Sequence, residues 1–123
     1  MTISIENAME VFADFLAQAQ DCEIVQTAKM GLVLIVDCSR KLDRSDLLVD
    51  QITDGDSLAK TLLRMEMDWI YYSLNGFHEE PWNCTEEITA KVLQQIQPRA
   101  ALLPPEYQAE LSNYFEPPVG IQI

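Results

Sequence analysis

Basic residues are scarce in this chain: eight lysines and arginines stand against twenty aspartates and glutamates, a formal net charge of −12 over 123 residues. No Lys or Arg occurs before Lys29. A protein that grips a phosphate backbone needs clustered cations to release counterions, so direct nucleic-acid binding is not expected. Histidine is represented by His78 alone, and there are four glycines. A nucleophilic triad would have to use His78 as its base, yet no G-x-S-x-G elbow and no glycine-rich phosphate loop is present. The three cysteines, Cys22, Cys38 and Cys84, cannot all pair within one chain and follow no disulfide framework, which fits reduced thiols in a cytoplasmic protein. Long apolar runs are missing too. The longest, Gly31 to Val36, is a strand's length, well short of the ~18–20 residues that cross a bilayer, so no membrane partner is expected. The N-terminus lacks the basic region and apolar core of a secretion signal.

What is present is a globular composition. Hydrophobic residues make up 48% of the chain, so the acidity does not signal disorder. The length suits a single domain, 1–123, and the pattern predicts an α+β fold: four to five helices around a small antiparallel β-hairpin, with an extended tail at 117–123.

Residues 4–20 read as one amphipathic helix capped by Ser4. Ile5, Ala8, Met9, Phe12, Phe15, Leu16 and Ala19 share one face, and Glu6, Glu10 and Asp14 share the other. Cys22–Thr27 and Leu32–Asp37 read as the hairpin, with Gly31 closing a four-residue loop. The second strand is apolar on both faces, so each face requires cover. Leu47–Ile52 fits a short helix or a third strand. The longest helix is expected over Leu58–Asn75, capped by Asp56 or Ser57. Leu58, Leu62, Met65, Trp69 and Tyr72 form one apolar stripe, and Leu63, Met67, Ile70 and Leu74 a second. Lys60, Arg64, Asp68, Tyr71 and Asn75 occupy the sector left for solvent. Thr85 caps a fourth helix that carries Glu86 and Glu87 in its first turn, buries Ile88, Val92, Leu93 and Ile96, and stops at Pro98. Pro104-Pro105-Glu106 opens the last helix, with Tyr107, Leu111, Tyr114 and Phe115 on one side. In the tail, Val119, Ile121 and Ile123 alternate like a strand that pairs with an open hairpin edge or with a second copy.

Metal and acid–base chemistry find little footing. Asp50 to Asp56 invites comparison with a calcium loop, whose middle Asp54-Gly55-Asp56 matches, but Ile52 and Thr61 stand where a side-chain oxygen and a bidentate glutamate are required. Cys22, Cys38, His78 and Cys84 lack the short ligand spacing that nucleates a zinc site. No metal and no cofactor is therefore expected. Glu66 is the one carboxylate in an unusual position, between the two apolar stripes. Burial there would raise its pKa unless a hydroxyl, a backbone N–H or an arginine satisfies it.

These features favour a non-enzymatic module that docks on a basic protein surface as an inhibitor or adaptor, with nucleic-acid enzymes among the conceivable targets. Its binding residues would be Glu6, Glu10, Asp14, Glu79, Glu80, Glu86 and Glu87. A second reading is a ligand-binding protein or enzyme with a pocket around Glu66, Trp69, Tyr72, His78 and Trp82. A third is a structural subunit or homodimer.

Overall fold

The computed structural model describes residues 3–19, 22–37, 47–74 and 86–115, with the side chains of 47 and 115 left aside. Ser4 starts the first helix as expected: its hydroxyl oxygen accepts from the Asn7 N–H at 3.1 Å, and α1 runs Ile5–Val11. The predicted single helix is in fact two. At Phe12 the backbone turns to φ −101°, ψ 14°, and α2 follows over Ala13–Gln18. Hydrogen bonding carries across the joint, since Phe12 N–H reaches Ala8 C=O at 3.2 Å and Leu16 N–H reaches Phe12 C=O at 2.9 Å. The amphipathic division survives the bend. Ala8 and Phe12 are fully buried, while Glu6, Glu10 and Asp14 are exposed.

Strand β1 (Cys22–Thr27) pairs antiparallel with β2 (Gly31–Asp37), and β2 pairs antiparallel with β3 (Leu47–Gln51), in the order β1-β2-β3. Residues 47–51 are thus strand, not helix. Gly31 belongs to β2 rather than to the loop, leaving Ala28, Lys29 and Met30 as the turn. Its φ of +70° is a conformation that favours glycine. Thr27 locks this turn: its hydroxyl donates to Gly31 C=O at 2.7 Å and accepts from Met30 N–H at 2.9 Å. Val33 and Leu34 point to opposite faces of the central strand, and each is only 2% exposed. Both faces of β2 are covered at its middle, as its composition requires.

Helix α3 spans Gly55–Leu74, three residues earlier than expected at its start. Its cap is Asp54 rather than Asp56 or Ser57: Asp54 Oδ1 accepts from the Ser57 N–H at 2.7 Å, the usual cap-to-third-residue bond. Asp56 instead forms an i,i+4 pair with Lys60 at 3.2 Å. Gly55 is buried because it lies against the chain that enters α1; a Cβ there would collide with Ile3 C=O and the Ser4 carbonyl group.

The chain divides into two compact units, Thr2–Thr61 and Leu62–Ile123, with the division inside α3. The first unit buries Ala8, Phe12, Cys22, Val33, Leu34, Leu58 and Ala59. In the second, Leu62, Leu63, Met67, Ile70 and Tyr71 of α3 are buried, as are Val92, Ile96 and Ala100 of α4 (Glu86–Ala100). Pro98 does not stop α4. The proline forfeits one N–H, but Ala101 N–H still bonds Gln97 C=O at 2.9 Å, and the buried i,i+4 series Val92, Ile96, Ala100 holds the helix through it. A 3₁₀ turn, Pro105–Tyr107, leads into α5 (Gln108–Phe115), with Tyr107 and Leu111 buried.

Among the described residues this is an α+β fold of five α-helices and a three-stranded antiparallel sheet. None of these helices is long and apolar enough to cross a membrane. The expected caps at Asn75-Gly76 and Thr85, and the strand at 119–123, lie outside the described residues.

Candidate functional site

Glu6 and Glu10 stand one turn apart on α1, about 6 Å along the helix axis, and Asp14 follows on α2 beyond the Phe12 bend. All three side chains lie on the exposed side of a helix pair whose other side carries Ala8 and Phe12. Neighbouring like charges at i,i+4 cost only about 0.2–0.5 kcal/mol, which the buried face outweighs. The first 28 residues supply five carboxylates and no lysine or arginine.

Glu86 and Glu87 are exposed in the first turn of α4, where carboxylates complement the helix dipole, and Glu87 also pairs with Lys91 at 3.4 Å. They belong to the second unit, whereas Glu6, Glu10 and Asp14 belong to the first. Glu79 and Glu80 lie outside the described residues. Acid is shared evenly between the units: residues 2–61 carry eleven carboxylates against five cations, and residues 62–123 carry nine against three, a net −6 each.

Of the second proposed constellation, the described structure contains Glu66, Trp69 and Tyr72, while His78 and Trp82 fall outside it. Glu66 is met by Arg99 of α4 in a two-pronged contact, Nε to Oε1 at 2.8 Å and Nη2 to Oε2 at 3.3 Å. Their side chains are 10% (Arg99) and 18% (Glu66) exposed, so this pair is largely withdrawn from water. Both carboxylate oxygens are occupied by one guanidinium, the geometry that suits arginine best. An arginine thus meets both oxygens of the inward glutamate.

Trp69 is the clear departure from expectation. It is 52% exposed, stacked at a tilt on Tyr72 with ring centroids 6.0 Å apart. The stripe to which both belong is buried at Leu58 and Leu62 and surfaces at Met65, Trp69 and Tyr72. Tyr71, expected in solvent, is 2% exposed. Its place on the helical wheel, four residues after Met67 and three before Leu74, widens the second stripe instead.

The sector expected to be solvated also carries ties within the second unit. Arg64 pairs with Glu110 at 3.3 Å, and the Tyr114 hydroxyl donates to Asp68 Oδ1. Both contacts join α3 to α5 at the same sequence offset of 46, so the two segments run in the same direction side by side. Nothing local in the sequence connects Arg99, Glu110 and Tyr114 to α3. One signal was available: residues 62–123 hold only Arg64, Lys91 and Arg99 as cations, so an inward Glu66 had few possible mates. Each of these three cations is paired with a carboxylate.

The acidic turn after β3 is likewise accounted for by structure. Asp50 is exposed on β3, Asp54 caps α3, and Asp56 meets Lys60. Among the described residues no three His, Cys, Asp or Glu side chains converge as a metal site would require. Cys22 is buried in β1, and Cys38, His78 and Cys84 lie outside the described residues. Compared with protein-family models, curated proteins and solved structures, the chain matches none.

Proposed function

We propose that this protein is a non-enzymatic interaction module that docks on a basic surface of a partner protein, acting as an inhibitor or adaptor. Its contact residues are Glu6, Glu10 and Asp14, with Glu86 and Glu87 contributing to the general field. The observation that carries this reading is the exposure of three successive carboxylates along α1 and α2, in a segment without a single cation. Two further features support it. All three cations of residues 62–123 are held in ion pairs, so the acidic excess of that unit is not offset by loose basic side chains. The Glu66 carboxylate is committed to Arg99, which removes the strongest argument for a catalytic or ligand-binding carboxylate.

A surface of this kind acts mainly by steering. Opposite charge speeds encounter and fixes orientation, and the effect decays over ~8 Å at physiological salt. The test replaces all three residues together, Glu6→Gln, Glu10→Gln and Asp14→Asn. Proteins retained by the wild-type chain at low salt and released at high salt are identified by mass spectrometry and compared with those retained by the variant. The variant is expected to keep its circular dichroism and thermal midpoint and to lose the salt-sensitive partner. An unchanged set of partners, or loss of folding in the variant, would overturn the assignment.

A further inference from the structure

We infer that the outer edge of β3 pairs with the same edge of a second copy of this chain, antiparallel, about a two-fold axis at Val49. Among the described residues β3 ends the sheet on one side, and Leu48, Val49, Asp50 and Gln51 are all exposed, Leu48 by 56% and Val49 by 52%. On the opposite edge, β1 keeps Cys22 buried and Ile24 and Val25 partly covered. An exposed edge strand bearing large apolar side chains on both faces is a template for another strand.

The ladder determines which backbone groups are offered. Ile52 N–H donates to Leu32 C=O at 2.9 Å, which makes residues 32 and 52 a hydrogen-bonded pair. Such pairs alternate in an antiparallel ladder, so Asp50 with Leu34 and Leu48 with Val36 are the next ones inward. The N–H and C=O of Leu48 and Asp50 therefore serve β2. Those of Val49 point away from the sheet. Val49 is also the middle residue of the five-residue strand. A two-fold axis there lets Val49 of each copy exchange both hydrogen bonds, with 48 opposite 50 and 47 opposite 51, so every residue of the strand takes part.

Charge selects the direction. Asp50 is the only ionised side chain in Leu47–Gln51. The antiparallel register about Val49 sets it against Leu48 of the second copy. A parallel in-register pairing would set Asp50 against Asp50, and like charges directly opposite are unfavourable. Leu48 and Val49 lie on opposite faces, so the added strand gives apolar cover on both. Five residues per strand make a small interface, well under the ~1,600 Å² of a standard one, so the dimer is weak. The −12 charge on each copy opposes it further when salt is low.

Sedimentation equilibrium of the full chain, over a wide range of protein concentration at low and high salt, tests this. A monomer–dimer equilibrium that strengthens with salt is expected, because screening relieves the repulsion and leaves the backbone pairing intact. Docking on a basic partner would weaken with salt, so the failure of one reading is distinguishable from the failure of the other. Val49→Pro removes an outward N–H without touching the β2–β3 ladder, and proline is tolerated at sheet edges; it should weaken dimerisation about tenfold or more. Val49→Glu keeps that N–H and opposes two carboxylates at the axis, and it should weaken dimerisation as well if the proline variant proves misfolded by circular dichroism. A chain that stays monomeric under all conditions, a dimer that salt disperses, or a dimer unaffected in folded Val49 variants would each overturn the proposal.

Discussion

Arg99 holds Glu66 by both carboxylate oxygens, at 2.8 and 3.3 Å, across 33 residues of sequence. The contact joins the middle of α3 to the last turn of α4. Because both side chains are largely buried, each depends on the other for the solvation it has lost.

Removing one partner should therefore cost more than removing both. Arg99→Met is expected to destabilise by about 2–4 kcal/mol, since it strands a carboxylate with little water around it. Glu66→Gln combined with Arg99→Met should recover part of that loss, because two neutral side chains of similar shape require no ionic partner. Urea unfolding of the two single variants and the double variant gives the coupling energy. Additive losses would mean that the pair contributes nothing jointly.

The aromatic residues of α3 should respond in the opposite order to their size. Trp69→Ala is expected to cost no more than about 1 kcal/mol, because half of the residue is in water. Leu62→Ala and Tyr71→Ala should each cost about 2–5 kcal/mol, as truncations of buried side chains do. Chemical unfolding midpoints decide between this ranking and one in which the tryptophan is a core residue.

Gly55→Ala should destabilise the protein even though alanine is the better helix former by about 1 kcal/mol. The added methyl group has no room against the Ile3 and Ser4 backbone, and relieving the overlap must shift the entry to α1 at a cost of about 1–3 kcal/mol. Thermal unfolding of Gly55→Ala beside Asp54→Ala provides the comparison. The second variant loses only a helix cap, a cost of about 1 kcal/mol. A stabilised Gly55→Ala would mean that the contact is loose.

Element types were legible wherever local chemistry decides them. Ser4 as a cap, the β-branched and apolar content of residues 22–37, the glycine at 31 and the burial of Val92 and Ile96 all follow from capping, strand propensity, left-handed turn geometry and periodicity. Boundaries were less so. The Phe12 bend leaves no Gly or Pro in the sequence, and Pro98 suggests a stop that the buried Ala100 overrides. At the start of α3, Asp54, Asp56 and Ser57 are all acceptable caps by type, and only the path of the backbone selects Asp54.

The sequence by itself determined the charge of this protein, its mixed helical and antiparallel class, and the outward position of Glu6, Glu10 and Asp14, because composition and a 3.6-residue period are properties of adjacent residues. Only the tertiary structure decided that Glu66 belongs to Arg99, that Asp68 receives Tyr114, that Trp69 surfaces while Tyr71 is buried, and that β3 is the outer strand of the sheet among the described residues. The physical reason is range. A helical wheel says which side chains share a face, but how far along the helix that face stays covered depends on segments 30 to 50 residues away, as do the partners of its polar groups.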